Sequence, residues 1–248
     1  MGKRGGSTHL KRIVAPKAIP ITDKKARTWI IKSAPGPHPL LESIPLGVLL
    51  RDVLHVVKDL REARKVLSKR FVLVDGIPRT TEKFAVGLMD VVSLIPENKN
   101  YRIVVDWKGR LHPVEITAEE GSKKIVKVIK KIITKGGRIN LTFHDSRNIV
   151  GDNHIHVGDS VIIQLPKSTK EKIRVLAHLK LEKGARCFVS KGKHAGKIVR
   201  LKDVIKRLGR KSEAIVETEK GEEFITVSDY LVVVDDSFKI SSEGGAHG

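Results

Sequence analysis

Arg61, Arg64 and Lys65 stand three and four positions apart, so a helix would carry all three on one face, with Lys69 and Arg70 directly after. A planar guanidinium grips two phosphate oxygens at once, and cations at this spacing can follow a nucleic-acid backbone. An ordinary solvated helix face, partly neutralised by Asp59 and Glu62, is the plain alternative. A second basic group is Lys191-Gly192-Lys193-His194-Ala195-Gly196-Lys197. Its small residues let the backbone turn and approach a partner, while Lys191, Lys193 and Lys197 supply charge. The loop lacks the Gly-x-x-x-x-Gly-Lys-Ser/Thr spacing of a nucleotide-binding loop, and a basic hairpin turn would read the same.

Other chemistry finds less support. His144, Asp145, Asp152, His154 and His156 crowd together, and on a strand His154 and His156 would point the same way, as two metal ligands must. Glycine and asparagine interrupt that run, and neither a Cys pair nor an HExxH spacing accompanies it, so no metal is expected. Cys187 sits between Arg186 and Phe188 in an apolar strand pattern and reads as a small buried hydrophobe. No Gly-x-Ser-x-Gly occurs, and no carboxylate pair suggests acid–base work, so an enzyme is not expected.

The elements that must position these groups follow from period and punctuation. Residues 1–42 read as an extended basic arm, since Pro16, Pro20, Pro35, Pro37 and Pro39 prevent long helices. Such an arm is expected to stay unpacked until RNA neutralises it, with Trp29, Ile30 and Ile31 available to pack on a neighbour. From Ser43, a helix cap, Leu46, Leu49, Leu50, Val53, Leu54 and Val57 form one apolar stripe at helical period. A second helix starts near Asp59, with Leu60, Ala63 and Leu67 facing the core. The period then changes to a strand at Phe71–Val74, a tight turn at Asp75-Gly76 and a closing strand at Asp90–Ile95. Residues 96–176 read as mostly β, with strands at Arg102–Asp106, Arg138–Phe143 and Ser160–Leu165. Ile125, Ile129, Ile132 and Ile133 suit a helix or a strand, and their β-branching favours the strand. Residues 177–235 form a small β unit, including a hairpin around Lys220-Gly221, and 236–248 read as a tail.

Charge narrows the function class. The 248 residues hold 48 Lys+Arg against 28 Asp+Glu, a net +20. The excess is spread: +8 in residues 1–32, +3 in 43–95, +7 in 96–176 and +3 in 177–248, with Glu42 making up the difference. A surplus in every part suits a long path of phosphates better than a membrane surface, which one basic amphipathic helix would serve. One Gln, one Cys and two Met beside 31% charged residues is a heat-adapted balance, but heat adaptation raises both signs together. No stretch approaches the roughly 20 apolar residues of a membrane span. The start MGKRGGSTHLKR has no apolar region behind it, and the single cysteine allows no internal disulfide, so a soluble intracellular protein is expected.

Two modules and their order carry a family resemblance. The string LLRDVLHVVKDLREARKVLSKRFVLVDGIPRTTEKFAVGLMDVVSL, within residues 43–95, resembles the αL RNA-binding domain of bacterial ribosomal proteins, pseudouridine synthases and heat-shock RNA binders. Residues 181–204 resemble a KOW motif, with Gly192 and Gly196 at its pivotal glycines. An arm reading HLKRIVAP…WIIKSAPGPHP precedes them, and GGRINLTFHDSRNIV and VGDSVIIQLP lie between. Over essentially its whole length the chain resembles the archaeal and eukaryotic type of the small-subunit ribosomal protein four family, in its shorter, archaeal form.

That resemblance implies an α+β multidomain protein: basic extended arm (1–42), small αL helix-helix-hairpin RNA-binding domain (43–95), central β-rich domain (96–176), C-terminal SH3-like KOW β-barrel (177–235) and tail (236–248). It implies a structural rRNA-binding component of the cytoplasmic small ribosomal subunit, with no cofactor, no membrane, no small-molecule substrate and no homo-oligomer. Its partners would be small-subunit rRNA and neighbouring ribosomal proteins. By carry-over, Arg61, Arg64 and Lys65 contact rRNA first, and His9, Lys11 and Arg12 of the arm come next. Ile19 stands where the family's arm is expected to carry a tryptophan, which removes any stacking by that ring. Two rivals remain: an RNA-modifying enzyme with an appended αL domain, and an exchanging transcription or translation factor that uses the KOW unit as an adaptor.

Overall fold

The computed structural model describes residues 6–134, 136–151, 153–166, 173–206, 209–236 and 238. The alternating runs of the sequence become three five-stranded antiparallel sheets in series, and helix is scarce. The fold is mostly β, with a smaller α component than expected. Strands β1 (Val72–Val74), β2 (Ile77–Pro78), β3 (Val91–Leu94), β4 (Lys99–Val105) and β5 (Leu111–Ile116) make the first sheet, in the order β2-β1-β3-β4-β5. Asp75 and Gly76 both take positive φ (53° and 76°), as a tight turn between β1 and β2 requires. The 95/96 boundary read from sequence falls inside this sheet, because β4 pairs with β3 along Val91–Leu94.

After a short helix at Ala118–Gly121 the second sheet begins. Its strands are β6 (Lys123–Ile133), β7 (Ile139–Phe143), β8 (Asn148–Gly151), β9 (Ser160–Gln164) and β10 (Arg174–Leu179), in the order β8-β7-β6-β9-β10. Residues 123–133 are thus a strand, the outcome β-branching favoured. The boundary at 176/177 again falls inside a strand, β10. The third sheet holds β11 (Arg186–Val189), β12 (Ile198–Ile205), β13 (Glu213–Thr218), β14 (Glu223–Val227) and β15 (Leu231–Val233), ordered β14-β13-β12-β11-β15.

The first predicted helix is shorter than its apolar stripe. It is α-helical over Leu46–Val48 and widens to π geometry over Leu49–Val53; Leu54 N–H reaches back to the Leu49 carbonyl, and His55 then takes φ 54°. Leu46, Leu49, Leu50 and Val57 are nevertheless buried. Ser43 is no helix cap: it is extended and fully buried, and its hydroxyl donates to Ser33 Oγ, while Ile44–Pro45 pairs with Ala85–Val86. The second helix, Leu60–Ser68, starts after Asp59 as expected and buries Ala63 and Leu67.

Parts of residues 6–42 pack on the first module, while residues 22–29 lie exposed. Leu10–Lys11 pairs with Trp29–Ile30, and Ala18, Ile19, Ile21 and Ile30 enter the same core as the first helices and sheet. Ile19 is therefore a core residue. Phe238 of the expected tail is buried in that core too, edge-on to Phe188 at 5.8 Å, while residues 237 and 239–248 lie outside the described ones. The other two sheets keep cores of their own, one around Val126, Phe143 and Ile163 and one around Cys187, Leu201 and Val216.

Candidate nucleic-acid interface

The helix Leu60–Ser68 is amphipathic because its apolar positions recur at three and four residues, so burying Ala63 and Leu67 turns Arg61, Arg64, Lys65 and Ser68 outward. Lys69 and Arg70 are exposed at its end, where Arg70 takes φ 60°. Glu62 is turned away from these cations, its carboxylate accepting the Lys58 backbone N–H at 2.8 Å. Arg64 is half spent, since its guanidinium pairs with Glu82 at 2.9 Å. Arg61 and Lys65 form no ion pair among the described residues.

The glycine loop joins β11 to β12 and brings Lys193 and Lys197 to the surface, whereas Lys191 pairs with Glu42 of the arm at 2.6 Å. His194 stacks on Phe224 with ring centroids 3.9 Å apart, and Ala195 is buried. Gly196 serves packing. It holds φ 81°, and a Cβ there would stand 2.9 Å from both the Asp106 carbonyl carbon and the Trp107 nitrogen of the β4–β5 turn.

In the arm, His9 and Lys11 are exposed, and His9 lies 5.6 Å from the ring of Trp29. Arg12 departs from its expected role. It is buried, donates from Nε to the Asp23 carbonyl at 2.7 Å and pairs with Asp52 at 3.3 Å, so it holds the arm down and presents no charge to a partner.

The histidine–aspartate run disperses. His154 and His156 lie exposed in a turn, not on a strand, and Asp152 lies outside the described residues. His144 bonds the Leu88 carbonyl through Nε2 and accepts the Lys127 N–H through Nδ1; burial, with Lys124 nearby, pushes it down to about 4. Burial likewise pushes the Cys187 thiol up to about 12 and leaves it an inert core group.

Asp145 joins a buried polar cluster that sequence reading missed. Lys124 is fully buried on β6, and its ammonium lies 2.7 Å from Asp75, 2.6 Å from Asp90 and 2.9 Å from Asp145. Arg147 adds a contact to Asp75 at 2.6 Å, and His38 of the arm reaches Asp90 at 3.0 Å. Burial and the charge of Asp90 raise the Asp75 carboxyl. For Asp90, burial works the same way, but Lys124 and His38 outweigh it and hold the carboxyl far below its usual range. Lys127, on the same strand, donates to the carbonyls of Ser228, Asp229 and Leu231 at 2.7–3.0 Å, and burial pushes its ammonium down to about 8. One strand thus locks the second sheet to the first through Lys124 and to the third through Lys127.

A cleft of about 1330 Å³ opens between the modules, lined by Lys17, Lys180, Lys191, Lys193, Lys206 and Lys211 among others. Lys180, Lys191 and Lys211 are each paired with an acid there, and Lys193 belongs both to the glycine loop and to the cleft lining, so positive charge faces the cleft as well as the helix surface.

β-rich modules joined by buried lysines, with exposed cations that form no ion pair among the described residues, define a basic multi-module protein suited to a polyanionic partner. The particular family follows from comparison. Residues 97–170 match the Ribosomal family S4e and residues 4–41 match the RS4NT (NUC023) domain. The small ribosomal subunit protein eS4 of Korarchaeum cryptofilum is 44% identical over 205 residues, 82% of this chain and 85% of its own. That of Methanothermobacter thermautotrophicus is 39% identical over 241 residues, 96% of each chain. The crystal structure of the 30S ribosomal protein S4e from Thermoplasma acidophilum superposes with a TM-score of 0.67 at 29% identity, covering 79% of this chain and 96% of that one. The chain belongs to the S4e family of ribosomal proteins, in its archaeal type.

Proposed function

We propose that this chain is a structural, non-catalytic constituent of the cytoplasmic small ribosomal subunit that binds and stabilises folded rRNA beside neighbouring ribosomal proteins. Residues 43–95 act as an αL-type unit, the third sheet as a KOW-type unit, and the arm as a basic strap over the first module. The observation that carries the reading is the exposed face of the helix Leu60–Ser68, where Arg61 and Lys65 stand without acidic partners among the described residues while Glu62 is turned back on the chain. Charges left unpaired in this way suit a phosphate backbone, which is recognised by shape and charge more than by base sequence. His9, Lys11, Lys69, Arg70, Lys193 and Lys197 extend the contact, and Arg64 joins where phosphate displaces Glu82.

The test is binding of the full chain to small-subunit rRNA across a salt series. Arg61→Glu combined with Lys65→Glu removes two phosphate contacts, so the slope of log affinity against log salt should become shallower by about 1.4–1.8. Affinity should fall at least tenfold while helicity stays unchanged. An unaltered affinity and slope with unaltered helicity would refute the site.

A further inference from the structure

The β4–β5 turn presents a large ring where an ordinary hairpin would carry polar side chains. Trp107 is 58% exposed at its tip. The turn beneath it is stiff: Gly109 N–H donates to the Asp106 carbonyl at 2.8 Å, Asp106 N–H donates to the Arg110 carbonyl at 2.7 Å, and the Asp106 carboxylate accepts the Trp107 N–H at 2.6 Å. That last bond occupies the one acid in the turn. Lys108 lies with its ammonium 4.5 Å from the Trp107 ring centroid. Gly196 brings the loop between β11 and β12 against the backbone of Asp106 and Trp107, and Lys193 and Lys197, exposed and without an ion pair among the described residues, flank that contact in the loop. Two modules some ninety residues apart in sequence therefore meet at this turn, where Lys108 lies over the tryptophan ring and the lysine-bearing loop packs alongside. The other exposed tryptophan, Trp29, already leans on His9.

We propose that Trp107 is a stacking platform for one unpaired base of RNA, with Lys108, Lys193 and Lys197 holding the flanking phosphates. An isolated exposed apolar side chain needs no explanation. A ring fixed on a stiff turn among lysines has the make-up of a single-strand site, in which bases stack on aromatic rings and cations track the backbone. A paired base cannot offer its face in this way, so the ligand is a loop or bulge nucleotide and not a duplex. The lysine over the ring and the lysines of the adjoining loop argue for RNA over a protein surface of ordinary composition. The inference deepens the rRNA-binding reading and names a second, chemically different contact within it.

The experiment uses the full chain with Trp29→Phe, which leaves Trp107 as the sole indole. It is titrated with an octamer of adenylate, with an RNA duplex of equal charge and with inorganic polyphosphate, while tryptophan fluorescence is followed. The octamer should quench Trp107 strongly, and the duplex and polyphosphate should not. In a second readout, filter retention of end-labelled octamer, Trp107→Ala should weaken octamer binding about tenfold with the salt slope unchanged, because stacking releases no counterions, and Trp107→Phe should retain most of the affinity. Equal quenching by polyphosphate, or equal octamer affinity for Trp107→Ala, would overturn the platform. So would a spectrum that ignores every RNA and responds only to other small-subunit proteins, which would make the patch a protein contact. Because Trp107 alone is read, a failed result for Arg61 and Lys65 refutes the helix site without touching this outcome.

Discussion

Replacing Lys124 by methionine keeps the length of the side chain and removes the one cation that touches all three buried carboxylates of the junction. In the intact protein its ammonium lies within 2.9 Å of each of Asp75, Asp90 and Asp145. Afterwards Arg147 still reaches Asp75 and Asp145, and His38 still reaches Asp90, but three carboxylates share one guanidinium and one imidazole. Leaving a buried charge uncompensated costs about 3–5 kcal/mol. With a Tm shift of roughly 2–4 °C per kcal/mol for a chain near this size, melting should fall by about 6–20 °C. Urea unfolding at pH 7, followed by circular dichroism, measures the loss. Its pH dependence identifies the cause. In the wild type the Asp90 and Asp145 carboxyls are held low, so stability is lost as pH falls through their folded values. In the variant, the stranded carboxyls are raised above their unfolded values, so protonation stabilises the fold as pH falls. The gap between the two proteins should therefore narrow from pH 7 to pH 5, and adding Asp75→Asn and Asp145→Asn to Lys124→Met should recover part of the loss. A loss under about 1 kcal/mol, or one that does not change with pH, would show that Lys124 is not the keystone of the junction.

Other expectations rest on single sites. His144 titrates near 4 when folded and near 6.5 when unfolded, so the unfolded state binds more protons between those values and stability falls as pH drops through that window. The contribution is about 3 kcal/mol, and His144→Gln should flatten that part of a stability–pH curve; parallel curves would count against it. Gly196→Ala should destabilise by more than the ~1–3 kcal/mol of a left-handed backbone alone, because its Cβ would meet the Asp106–Trp107 backbone at 2.9 Å. Gly184→Ala is the control, at φ 87° with nothing within 4 Å, and equal urea midpoints for the two variants would remove the packing argument.

Lys123 and Lys124 are the same residue type side by side, yet the first is exposed and the second fully buried. Period-2 alternation predicts that they face opposite ways, and nothing local says which face will meet Asp75, Asp90 and Asp145. What sequence determined is what local physics sets: the turn at Asp75-Gly76, the strands, the helix after Asp59 with Arg61 and Lys65 outward, and a positive surplus in every segment. The apolar stripe through Val57 marked most of its buried face, at Leu46, Leu49, Leu50 and Val57, but its helix length wrongly, because burial can be kept by a π turn and a left-handed His55 as well as by a regular helix. Arg12 enters the interface by family resemblance, and Gly196 as a small residue that lets the backbone turn toward a partner. Tertiary structure makes one an anchor for the arm and the other a seam between modules. Charge type and spacing are written in the chain. Whether a charge meets solvent or a buried partner depends on contacts between segments tens of residues apart, and only the packed sheets decide those.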